Sequence, residues 1–148
     1  MNETIVPKDR VVINPVGTET LCQTWQFSEA VRVGDQVWVS GQLGIGPDGE
    51  PAPTIEEQSR LAFQNLSHVL EEAGGVLADV VDLTSFHVTM EDLPIFATVK
   101  SEFFPKDFPA WTVIGVSELA LPRFLIEIKA IAIIGSGLEH PEGDSCKS

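Results

Sequence analysis

An α+β domain is predicted here, a mixed sheet carrying two helices on one face in the order βββαβαββ. Three features of the sequence predict it. Several short runs alternate apolar and polar residues as half-buried strands do. Two longer segments repeat apolar residues at helical spacing. The helical segments interrupt runs of strands instead of alternating with them regularly, which suits a two-layer domain.

The elements follow in order. Residues 10–14 read as a short edge strand, ended by Pro15 because proline cannot donate to a ladder. Residues 25–32 alternate apolar and polar, and Gly34-Asp35 turns them into residues 36–43 as a hairpin. Gly46-Pro47-Asp48-Gly49 is a loop. Thr54 followed by Glu57 forms a capping-box pattern ahead of Ala62, Leu66, Val69, Leu70 and Ala73, and Gly74-Gly75 supplies the left-handed stop. A third long strand is expected over residues 80–89. Asp92 is placed to cap a second helix running to Phe104, with Phe96, Val99 and Phe103 on its apolar face and Pro105 closing it. Residues 110–116 and 124–134 complete the sheet. One domain over residues 1–134 is expected, with residues 135–148 a disordered tail rich in Ser, Gly, Pro and charge.

Composition narrows the function classes. A chain of 148 residues with 43% hydrophobic content holds one core and is too short for two ordinary domains. The net charge of −13, with nine Lys and Arg scattered along the chain, repels phosphate backbones, so no nucleic-acid partner is expected. The apolar run at 126–134 is broken by Glu127 and Lys129 and falls short of the roughly 20 residues that span a bilayer. No membrane segment and no secretion signal are expected, and the cytoplasm is the default location. Cys22 and Cys146 lack a CxxC spacing, and no histidines are spaced to place a pair on one face, so no metal and no cofactor are expected.

Glu127 is the best catalytic candidate. A lone carboxylate inside the run Phe124-Leu125-Ile126-Glu127-Ile128-Lys129 is costly unless it lines a wet or paired site. It is either a functional base or one end of a structural ion pair with a lysine across an interface. The same strand leaves Leu125, Ile131 and Ile133 on the face away from the helices, an apolar surface of the kind that marks an interface.

Phe108-Pro109-Ala110-Trp111-Thr112-Val113, Glu127 sixteen residues after the Trp, and Val39-Ser40-Gly41-Gln42 together resemble the RidA/YjgF family of small trimeric enamine/imine deaminases. The resemblance runs from Phe27 to Ile134. It implies a chorismate-mutase-like fold, a homotrimer with clefts between subunits, a small-molecule ligand, and a glutamate at Glu127 that positions or activates the attacking water. Trp111 stands where the deaminases place an arginine that clamps a substrate carboxylate. Val113 falls where many relatives have cysteine, and Phe27 where many have tyrosine. Lys100 matches a helix asparagine near the cleft and supplies a point charge there, or is simply a solvated helix residue. The blocks Arg60-Leu61-Ala62-Phe63, Thr84-Ser85-Phe86-His87, Thr98-Val99-Lys100 and Trp111-Thr112 are similar to YjgH-type members.

The site expected from this reading is Glu127 as the catalytic group, with Phe27, Ser40, Gly41, Lys100, Trp111, Thr112 and Val113 around the substrate. His87 stands as a further acid–base candidate or a hydrogen-bonded interface histidine. The expected reaction is hydrolysis of an enamine or imine more apolar or aromatic than the usual imino acids. The alternative is a binding or interaction trimer that kept the fold and lost the chemistry.

Overall fold

In the computed structural model, which describes residues 3–139, the chain runs β1 (Arg10–Ile13), α1 (Glu19–Trp25), β2 (Ala30–Val33), β3 (Gln36–Leu43), α2 (Ile55–Glu72), β4 (Val80–His87), α3 (Leu93–Phe103), β5 (Ala110–Gly115) and β6 (Ile126–Ile133). The strands form one mixed sheet in the order β1-β2-β3-β6-β4-β5. Neighbours are antiparallel except β4 and β5, which run parallel. The crossover between those two is α3, which packs on the same face as α2.

Burial alternates along β6: Ile126, Ile128, Ala130 and Ala132 are buried under the helices, and Glu127, Lys129, Ile131 and Ile133 point the other way. Phe63, Leu66 and Leu70 of α2 and Phe96 of α3 meet this face, all fully buried. Each such side chain contributes about 1.5–3 kcal/mol through burial. Phe63 lies 5.5 Å from Phe96 and 5.1 Å from Phe103 between ring centroids, so aromatic contacts join the two helices. Arg60 adds a surface tie, bonding Glu56 at 3.2 Å and Glu102 at 3.0 Å.

The α2 start follows its sequence signal with one change. The Thr54 hydroxyl accepts from the Glu57 N–H at 3.2 Å, and the Glu57 carboxylate bonds that same hydroxyl at 2.9 Å instead of the Thr54 backbone. Gly74 takes the expected left-handed conformation, φ 92°. Gln58, buried inside α2, donates to the Ala52 and Arg123 carbonyls and accepts from the Leu125 N–H at 2.8 Å. That clamp sets where β6 begins and so where Glu127 falls.

Three expectations are corrected. Residues 25–32 do not form one strand: Trp25 ends α1, Gln26 turns left-handed at φ 57°, and β2 starts only at Ala30. Local polar bonds start α1, with the Thr18 hydroxyl donating to the Pro15 carbonyl and the Glu19 carboxylate accepting from the Gly17 N–H. Asp92 stands at the N-cap of α3 but makes no side-chain cap bond. Residues 135–139, expected to belong to a disordered tail, form a turn held by buried Asp79, whose Oδ1 accepts from the Gly135 and Gly137 N–H groups at 3.1 and 2.9 Å. The rest of that expected tail lies outside the described residues.

Candidate functional site

Glu127 projects from the helix-free face of β6, the central strand between β3 and β4, opposite Leu43 and Phe86. Its carboxylate is half-buried, and among the described residues no cation or hydrogen-bond donor reaches it. Burial alone pushes its carboxyl above the usual range. The seat for it comes from β3. Between Val39 and Gln42 the register with β6 slips by one residue, a bulge that re-aims the side chains around it. Gly41 lies inside that bulge, where a Cβ would sit 2.1 Å from Glu127 Oε1. Its φ lies outside the left-handed region, so the close approach, not the backbone, requires glycine.

The rest of Ser40-Gly41-Gln42 is held internally. Ser40 donates its hydroxyl to the Ser28 carbonyl at 2.6 Å, which leaves only its lone pairs for a ligand. Gln42 turns inward, and its amide donates to the buried Glu29 carboxylate at 2.8 Å. A shallow depression of about 330 Å³ on the helix-free face is lined by Ser40, Trp38, Thr84, Lys129 and Ile131 among others. Phe27 lies just past α1 and is partly exposed.

Trp111, Lys100 and His87 belong to the other face. Trp111 pairs with Leu83 on β4, yet its Nε1–H donates to Ser85 Oγ at 2.9 Å, two residues farther along. Ser85 Oγ also lies 2.7 Å from His87 Nε2, and both residues are fully buried. Trp111 and its indole N–H are thus anchored from within, a contact the sequence reading did not expect. The Lys100 ammonium sits 4.5 Å from the centroid of the Trp111 ring, and Phe96 lies 6.0 Å from it. Such a cation–π contact is worth about 0.5–1 kcal/mol at a partly exposed site. Burial lowers the Lys100 ammonium's pKa.

The hydrogen assignments of this cluster follow from donor counting. Trp111 can only donate, so Ser85 accepts from it and donates its own proton to His87 Nε2, which puts the histidine proton on Nδ1. The other tautomer would strand the Ser85 proton as well. Nδ1 has no partner among the described residues, and an unsatisfied buried group of this kind costs about 1–3 kcal/mol. Burial pushes the His87 imidazole below its ordinary pKa, with Asp92 acting weakly against it.

Apart from Phe27, which lies between α1 and β2, the sequence-predicted residues therefore fall into two groups on opposite faces of one sheet. Glu127, Gly41 and Ser40 share the helix-free side, where Thr112 is also exposed. Lys100, Trp111, Val113 and His87 share the helix side. A larger hollow, about 720 Å³ between the α3–β5 loop and the 136–139 turn, contains none of the predicted residues. Among the described residues there is no group of three or more His, Cys, Asp or Glu able to hold a metal ion.

The chain is similar to several known proteins. The family described as Endoribonuclease L-PSP matches residues 18–134. The chain is 42% identical over 128 residues to RutC family protein YjgH of Escherichia coli (strain K12), covering 85% of this chain and 96% of that one. It is 32% identical over 127 residues to a 2-iminobutanoate/2-iminopropanoate deaminase of Dermatophagoides farinae, covering 84% and 96%. The solved structure of Protein YJGH superposes with a TM-score of 0.76, covering 84% of this chain and 96% of that one.

Proposed function

Since this chain belongs to the Endoribonuclease L-PSP (YjgF) family, we propose that it is a cytosolic hydrolytic deaminase of reactive enamines and imines, acting on substrates more apolar than small imino acids. The observation that carries this reading is the unpaired, half-buried Glu127 carboxylate in the gap left by Gly41. A structural ion pair within one chain would give it a partner, and among the described residues none is present; a pair with a lysine of a neighbouring copy is separated from this reading by Glu127→Gln. Support also comes from the iminobutanoate deaminase among the relatives.

In the reaction, Glu127 accepts a proton from water as the oxygen attacks the imine carbon, and the nitrogen leaves as ammonia, so that R₂C=NH and H₂O give R₂C=O and NH₃. A carboxylate raised in pKa by burial is a stronger base near neutral pH. Trp111 bounds the substrate on its apolar side. A ligand touching both Trp111 and Glu127 has to reach around the β5 edge or take one of them from a neighbouring copy, because one chain presents them on opposite faces. The helix-free face suits a second copy: Trp38, Ile133 and Ile114 are exposed there beside Val31, Phe86 and Ile131. A homotrimer with the substrate clefts between subunits is part of the proposal.

A binding or interaction trimer without chemistry is the second reading, favoured by the internal use of the Trp111 N–H and of the Ser40 proton. No membrane association enters either reading, and no helix among the described residues is long and apolar enough to cross a membrane. The net charge of −13 weighs against RNA as a substrate despite the family's description. Ammonia release from a panel of freshly generated imines tests the proposal. Turnover of the apolar members is expected, and no turnover of any member would leave the binding reading.

A further inference from the structure

We propose that Ser85, backed by His87, is a positioning residue that sets substrate selectivity by fixing the Trp111 indole and using up its only N–H. The inference rests on the deaminase reading above and names its substrate class: imines whose group facing Trp111 is flat or apolar and needs no hydrogen-bond donor there.

The geometry runs through three side chains on neighbouring strands. Ser85 and His87 are two residues apart on β4, so both point under α3. Trp111 starts opposite Leu83 and leans forward to bring Nε1 within 2.9 Å of Ser85 Oγ. Oγ accepts that proton and passes its own toward His87 Nε2 at 2.7 Å. His87 is itself held edge-on to Phe96, with centroids 4.8 Å apart and planes at 87°. A neutral His87 is the acceptor this chain needs, and its burial favours that form.

Two consequences follow. The bond favours one ring position, because rotating the indole away takes its half-buried N–H off the Ser85 oxygen, while Ser85 keeps its bond to His87. Lys100 follows, since its ammonium rests on that ring. With the N–H spent on Ser85, Trp111 offers a substrate shape and apolar surface only, and discriminates against groups that require a donor.

The test pairs NMR with kinetics. Three Trp side chains give three indole N–H signals, and the Trp111 signal is assigned by its loss in Trp111→Phe. In the wild type that proton should exchange with solvent far more slowly than the Trp25 one, whose residue is 74% exposed. This measurement needs no variant at Ser85. In Ser85→Ala the Trp111 signal should move upfield while Trp25 and Trp38 stay, and the kcat/KM ratio of an aromatic over a small imine should fall by about three- to tenfold, the worth of one neutral hydrogen bond. Ser85→Thr, which restores the hydroxyl, should recover both. Trp111 exchange as fast as Trp25, or a displaced indole with unchanged selectivity, overturns the proposal. A wild type inactive on every imine overturns the deaminase reading and with it the selectivity role, while the exchange rate still shows whether Ser85 holds the indole.

Discussion

Gly41→Ala probes the seat of Glu127 with one added carbon. The new Cβ would lie 2.1 Å from Oε1, 2.7 Å from Cδ and 3.2 Å from Cγ of Glu127. Restoring ordinary contact requires the carboxylate oxygen to withdraw by more than about 1 Å, and a displacement of about 1 Å at a reacting group already costs about 10²-fold in rate. The backbone does not resist the change, because Gly41 is not in the left-handed region. Alanine instead restricts the unfolded chain, which offsets part of any strain, by about 0.5–1 kcal/mol. The atoms displaced are the free end of a flexible side chain, so the fold should absorb them. The expected outcome is kcat/KM for the best imine, measured by ammonia release, down about 100-fold with a melting temperature within a few degrees of wild type. Turnover within twofold of wild type would refute the argument that Glu127 must sit where Gly41 allows. Loss of the fold together with the activity would refute the claim that only a flexible end is displaced.

Three further outcomes are expected. Light scattering at micromolar concentration should give a mass three times the 16.1 kDa chain, because the helix-free face is too apolar to stay in water, and a mass of 16.1 kDa would contradict this. Small imino acids such as 2-iminopropionate should be hydrolysed poorly, since losing a charge-assisted bidentate clamp typically costs about 2–5 kcal/mol, and turnover equal to that of an arginine-bearing relative would remove the Trp111 argument. Stability should depend on His87 with a definite sign. Its folded pKa is lowered, so the unfolded chain binds the proton more readily, and stability falls as pH drops below about 6.5 toward the folded value. His87→Asn should flatten urea midpoints over that window, and an unchanged slope would show that the histidine is not buried neutral.

Much of the fold was legible because its signals are local. Ala62, Leu66 and Leu70 at helical spacing, Thr54 before Glu57, and Gly34-Asp35 between alternating runs each report on nearby backbone, and each sits where its pattern placed it. α1 escaped because its cause lies in side-chain bonds to Pro15 and Gly17, while the alternation through Trp25 and Phe27 reflected no buried face. For the candidate site the sequence offered residues and no arrangement. Glu127 stood out as a charge in an apolar strand, but nothing local tied it to Gly41, since that contact depends on a bulge and on the β3–β6 register. Trp111 stood out as a departure from the deaminase pattern, but its placement opposite Glu127 depends on the parallel pairing of β4 with β5. Ser85 had a usable signal, its two-residue spacing from His87 on one strand face, which lacked meaning until Trp111 was known to lie beside them.

The central claim is that Glu127 is an unpaired base and not a structural ion. It is tested most directly by Glu127→Gln, read as turnover and as melting temperature across pH. Burial raises the folded pKa of Glu127, so the folded state prefers the protonated form and the ionised form is a growing cost as pH rises from about 4.5 through the folded value. Glutamine removes that cost. The account predicts an intact trimer, turnover lower by about 10²–10⁴, and a melting temperature above wild type at pH 8 by a margin that disappears near pH 4. Full turnover on the best imine with a melting temperature below wild type at pH 8 would contradict it.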